Sequence, residues 1–121
     1  MCFSASASFV AGTALSAVGV ITLRGAVRGS DVPLASVPLL FGVQQIVEGL
    51  VWLSFRDGSA LPRDALTFVY SIFSHVLWPI LVPFAVRQIE PVRWRRTALA
   101  ACQLAGIAVG LYLLYIITVY P

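Results

Sequence analysis

The sequence predicts an all-α integral membrane protein, a four-helix bundle with both termini outside the cell. Three observations predict it. The 121 residues are 60% hydrophobic and 11% charged, with a mean hydropathy of +0.93, whereas soluble domains are nearer half apolar and a quarter charged. The apolar residues gather into four runs, each long enough for a hydrocarbon core of about 30 Å. The eight basic residues, all arginine, fall between or at the ends of those runs. The chain has room for a single transmembrane domain, residues 1–121, with spans at about 3–23, 32–55, 65–86 and 97–120.

The first span, Phe3–Leu23, carries Ser4, Ser8, Gly12 and Ser16 at four-residue spacing. Small residues so placed let helices approach closely in lipid. Arg24-Gly25 and Arg28-Gly29-Ser30-Asp31 end it. The second span, Val32–Phe55, opens with Pro33 in its first turn, where a missing N–H is harmless. Arg56-Asp57-Gly58-Ser59 closes it. The third, Ala65–Val86, contains Pro79 and Pro83 and ends at Gln88-Ile89-Glu90-Pro91. A proline cannot donate to the carbonyl four residues back. Pro79 therefore frees the His75 carbonyl and predicts a kink, and Pro83 frees that of Pro79. The fourth span, Thr97–Tyr120, repeats the small-residue stripe with Ala98, Cys102, Gly106 and Gly110. Both stripes suit packing within the fold, and either would also serve a homo-oligomer.

Orientation follows from the arginines. Six of them, Arg24, Arg28, Arg87, Arg93, Arg95 and Arg96, lie in the loops after spans one and three. Only Arg56 and Arg63 follow span two. The positive-inside rule places the first set in the cytoplasm, which makes this a multi-pass protein of the inner membrane. Trp94 is placed to anchor the inner interface, and Trp52, Phe55 and Tyr120 the outer one. The first residues lack the basic region of a cleavable signal peptide. Cys2 and Cys102 sit at different depths and are not expected to pair. The net charge of +3 reflects topology; no basic stripe or glycine-rich phosphate loop points to nucleic acid or nucleotide.

Glu48 is the acidic residue farthest from any membrane boundary. A carboxylate at that depth costs roughly 2.5–3.5 kcal/mol on insertion scales, which makes it a candidate functional site. Gln45, Glu48 and Trp52 are spaced i, i+3, i+7 and share a face, with Gln44 one turn before Glu48. On span three, Ser71, Ser74, His75 and Trp78 share a face by the same spacing. Counted from the outer ends of their spans, Glu48 lies about 10 Å deep and His75 about 15 Å. The intramembrane polar groups thus gather in the outer half. The candidate ligand or proton site is Glu48, Gln45, Gln44, His75, Ser71 and Trp52. Cys2, Glu48 and His75 would suit zinc or copper as a metal site, although no two of them show metal-motif spacing. No nucleophile–base pair is visible, so catalytic residues stay unassigned and enzymatic activity undecided.

Three functions follow as expectations. The first is an outward-facing intramembrane pocket for a metal ion, a cofactor or a small polar ligand. The second is an oligomeric transporter or channel using Glu48 as a proton or cation site, against which stands an apolar inner half. The third is an accessory membrane subunit with a structural polar cluster.

Three stretches carry a family resemblance: Met1-Cys2-Phe3-Ser4-Ala5-Ser6-Ala7-Ser8-Phe9, then Pro38 to Trp52 with its Phe41-Gly42-Val43-Gln44-Gln45 and Glu48-Gly49 core, and Trp78-Pro79-Ile80-Leu81-Val82-Pro83. Together they resemble a family of prokaryotic multi-span membrane proteins defined as a domain of unknown function. The resemblance covers the first three spans and brings no established activity. It implies that Cys2, Gln45, Glu48 and Trp52 form one unit. In that family's pattern glutamine often stands where this chain has His75, which implies a hydrogen-bonding role there. Some members are longer, with further spans.

Overall fold

The structure, a computed structural model, describes residues 4–120. Every regular element among them is helical: α1 (Ala5–Gly25), a 3-10 turn (Gly29–Asp31), α2 (Val32–Ala35), α3 (Val37–Ser54), α4 (Arg63–Ser71), a π-helical segment (Ile72–Leu77), α5 (Trp78–Ile89) and α6 (Arg93–Val119). Joined end to end, they make four helices long and apolar enough to cross a membrane: Ala5–Gly25, Gly29–Ser54, Arg63–Ile89 and Arg93–Val119. Chain neighbours are spatial neighbours. α1 lies along α3, α4 returns against α3, and α5 with the π segment lies along α6. α2 meets α5 at the arginine-rich end.

α1 begins where Ser4 caps it, its Oγ accepting from the Ala7 N–H at 3.2 Å. It ends at Gly25 with Arg24 in the last turn, where a cation meets the negative end of the helix dipole. Glycines set its packing on α3. A Cβ on Gly12 would meet Ile46 Cγ1 at 2.8 Å and the Gly42 carbonyl oxygen at 2.9 Å. A Cβ on Gly19 would collide with the backbone of Leu39, and one on Gly49 would meet the Phe9 ring. The two backbones touch along most of α1. Of the small-residue stripe, Ser8 and Gly12 are buried, Ser16 is half-buried against Gly42 and Ser4 is exposed; Gly19, off the four-residue spacing, is buried as well.

The second long helix is broken at Ser36. Pro38 in the first turn of α3 has no N–H for the Leu34 carbonyl, and the Ser36 hydroxyl donates to the neighbouring Pro33 carbonyl at 2.6 Å. The break is held from α1, where Thr22 Oγ1 donates to the Ala35 carbonyl at 2.7 Å. Thr22→Val keeps the shape and removes that donor. It is expected to lower stability by about 1 kcal/mol, read as a shift in detergent-induced unfolding; an unchanged midpoint would mean that the break is held without Thr22.

At the opposite end, Arg63 closes the α3–α4 turn. Its guanidinium donates to the Ser54 carbonyl at 3.1 Å and lies 4.6 Å from the centroid of the Phe55 ring. Gly58 turns the chain there with φ +76, a conformation that a side chain would strain.

The third long helix contains the π segment just before Trp78-Pro79. Pro79 offers no N–H to the ladder, and its ring crowds the carbonyl one turn back. A wider turn upstream relieves that crowding. The kink predicted from Pro79 takes this form. Pro83 has a different consequence: α6 approaches so closely that a Cβ on Gly106 would land on the Pro79 carbonyl oxygen, which Pro83 leaves without its helical donor. Gly110 packs one turn on, against Ile80. Ala98 and Cys102, expected on the same contact stripe, are exposed. A strict four-residue repeat drifts about 40° per step around a 3.6-residue helix, so no long stripe stays on one seam.

The burial pattern is inverted relative to a water-soluble domain. The buried residues of α3 are Gly42, Gln44, Gln45, Glu48, Gly49 and Ser54. Large apolar side chains face out: Val10 is 71% exposed, Ile21 69% and Leu104 70%.

Candidate functional site

α3 builds the polar centre of the molecule. Gln44, Gln45 and Glu48 are each only 7% exposed. Their 3.6-residue periodicity points all three off the lipid-like apolar surface and into the seams with α1 and the third helix. Gln45 Nε2 donates to Glu48 Oε2 at 3.1 Å, an i, i+3 pair within one turn. Gln44 looks the other way along the seam: its Oε1 accepts from Trp78 Nε1 at 2.6 Å. The Trp78 ring stacks on Phe41, with centroids 4.2 Å apart and planes inclined by 20°. Phe41, Gln44 and Trp78 thus lock the second long helix to the third with one aromatic stack and one hydrogen bond.

Ser8 joins this centre from α1. The antiparallel contacts of Gly19 with Leu39, Gly12 with Ile46 and Phe9 with Gly49 set the register. Continued by one residue, that register brings Ser8 to the level of Leu50, within one turn of Glu48 along α3. Ser8 is fully buried, and its Oγ has no hydrogen-bond partner. A buried hydroxyl left unmatched costs about 1–3 kcal/mol, so the α1–α3 seam holds an unspent donor and acceptor at Ser8. The sequence shows Ser8 only as one member of a small-residue stripe; nothing in its spacing marks the hydroxyl as unsatisfied.

The other expected site residues lie elsewhere. Trp52 is 43% exposed, although it sits one turn past Glu48. His75 is exposed, and its Nδ1 lies 2.6 Å from Ser74 Oγ and 3.3 Å from the Ser71 carbonyl oxygen. Ser71 is half-buried and lines a groove of about 570 Å³ near the α3–α4 turn, together with Phe55, Arg63, Phe68 and Tyr120. The physical reason is the π segment. Spacing of 3.6 puts Ser71, Ser74, His75 and Trp78 on one face, but a wider turn across Ile72–Leu77 shifts the phase by about one residue, or 100°. Trp78 turns toward α3 and His75 turns out.

Cys2 lies outside the described residues. Among those described, no three His, Cys, Asp or Glu side chains come together to hold a metal ion. Glu48 and His75 belong to different environments, one buried and one exposed. What the centre offers chemically is a carboxylate, two amides and a hydroxyl in a seam otherwise lined by glycine and apolar groups. An ionised carboxylate accepts only, and in that form favours a donor or a cation.

A family model matches residues 1–121, the full sequence: a family of unknown function (DUF6629). No curated protein and no solved structure matches the chain.

Proposed function

We propose, from the premise that the chain belongs to the DUF6629 family of unknown function, that it is an integral membrane protein whose buried α3 face binds a proton or a small cationic ligand inside the bilayer. One observation carries this reading: the interior of the bundle is polar where its exterior is apolar, with Gln44, Gln45 and Glu48 each 7% exposed. Side chains needed only as glue between helices are served by hydroxyls and amides. A carboxylate is the costly choice, and within membranes it marks proton and cation sites. The unmatched Ser8 hydroxyl, within one turn of Glu48 by register, supports a ligand over a purely structural cluster. The arginine distribution supports an inner-membrane orientation with both termini outside, which sets Glu48 in the outer half. Zinc or copper is a special case of this reading, in which Cys2 would supply a further ligand.

The test compares purified wild type with Glu48→Gln, an isosteric change that keeps hydrogen bonding and removes the charge. Thermal stability in detergent is measured against pH and against sodium, potassium, calcium, zinc and copper ions. A cation at a hundred times its dissociation constant stabilises by about 2.7 kcal/mol. The expected result is a concentration-dependent rise in wild type that Glu48→Gln abolishes. Equal responses of the two proteins to pH and to every cation, or none in either, would leave the cluster as interhelical glue.

A further inference from the structure

At the arginine-rich end, the turn between α5 and α6 forms a pocket of about 430 Å³ lined by Arg87, Pro91, Arg93, Arg96, Thr97 and Ala100. We infer that this pocket binds the phosphate of an anionic phospholipid headgroup. The inference is independent of the Glu48 site.

Three arginines line one concavity, and among the described residues no carboxylate pairs with them. Arg87 is half-buried and held by the Gln103 side chain, to which it donates at 3.3 Å. Among the described residues Arg93 and Arg96 have no side-chain partner. The nearest acidic residue in sequence, Glu90, is engaged in the turn itself: its Oε1 accepts from the Val92 N–H at 3.0 Å. Arg93 and Arg96 are exposed and Arg87 half-buried, which leaves their guanidiniums open to an anion from outside, and planar guanidiniums match phosphate oxygens with paired donors. The Thr97 hydroxyl adds a neutral donor at the wall. The first turn of α6 has no side-chain cap, so its backbone N–H groups add to the positive potential at this end.

The location argues for a lipid. The pocket sits where the apolar length of α6 begins, with Trp94 exposed beside it and the Arg95 guanidinium 5.5 Å from the Trp94 ring centroid. Basic pockets between transmembrane helices at this level suit phospholipid headgroups. The neighbouring concavity at the same end makes the contrast: Thr22, Gly25, Asp31 and Ile89 line it, without an arginine. The arginines are therefore not spread evenly as topology alone requires; three converge.

The experiment reconstitutes the full chain in vesicles of equal phosphatidylglycerol and phosphatidylcholine, extracts it gently and identifies retained lipids by native mass spectrometry. Wild type is expected to retain phosphatidylglycerol over phosphatidylcholine. Replacing Arg87, Arg93 or Arg96 by glutamine is expected to lower that preference by about tenfold each, as loss of a charge-assisted hydrogen bond to phosphate would. Arg95→Gln, on the same helical turn but outside the pocket, is expected to leave it unchanged. A wild type without lipid preference overturns the inference with no variant needed. So does an equal loss from Arg95→Gln, which would mean general surface attraction. A third arm adds inorganic phosphate to the detergent-solubilised protein. Displacement of the lipid by millimolar phosphate would reassign the pocket to a soluble phosphate and overturn the headgroup.

Discussion

Gly106→Ala is expected to separate α5 from α6 and to cost roughly 3 kcal/mol, the upper range for overpacking a fitted contact. The added methyl would occupy the space of the Pro79 carbonyl oxygen, which belongs to backbone and cannot rotate away. Relief requires the two helices to move apart, and that loosens Gly110 against Ile80 one turn further on. Ala108→Leu on the exposed side of α6 is the control, expected to change little. The measurement is the unfolding midpoint in mixed detergent micelles. If Gly106→Ala melts with wild type and the control, the close approach of α6 to Pro79 is wrong. The contact also explains why two prolines are tolerated in the third long helix: the carbonyl left without its helical donor is covered by a glycine Cα, whose hydrogens make weak contacts to oxygen.

Trp78→Ala is expected to be comparably damaging, again roughly 3 kcal/mol or more, because an aromatic ring is lost from a packed seam. The stack on Phe41 and the hydrogen bond to Gln44 vanish together. A finer pair separates them. Trp78→Phe keeps a ring and removes the N–H, leaving Gln44 Oε1 buried without its donor; the expected cost is about 1–3 kcal/mol. Adding Gln44→Leu removes the orphaned amide and should restore part of that loss. Strictly additive effects in the Trp78→Phe, Gln44→Leu and double variants would show that the 2.6 Å contact contributes nothing to stability.

These two expectations also mark how far the sequence could be read. The four helices, their apolar character and their punctuation were legible because each depends on local matters: run length, prolines and charged turns. Glu48 with Gln44 and Gln45 was legible as a buried polar face because α3 keeps regular 3.6-residue spacing through them. The third helix was not, because the π segment changes the spacing in its middle. Ser71, His75 and Trp78 were therefore placed on one face, whereas the structure sends Ser71 to an outer groove, His75 to the surface and Trp78 to Gln44. Trp52 lies within about 60° of Gln45 and Glu48 around α3 and is nevertheless 43% exposed, so a shared helical face did not by itself decide burial.

By itself, the sequence determined that this protein is four long apolar helices with a carboxylate and two amides buried on the second, since hydropathy and periodicity act residue by residue. Only the tertiary structure decided which groups meet: Gly106 with the Pro79 carbonyl, Trp78 with Gln44, Gly12 with Ile46, and three arginines around one pocket. Those meetings depend on helix register and on one irregular turn. A shift of a single residue there rotates every later side chain by about 100°, a change that composition and spacing do not reveal.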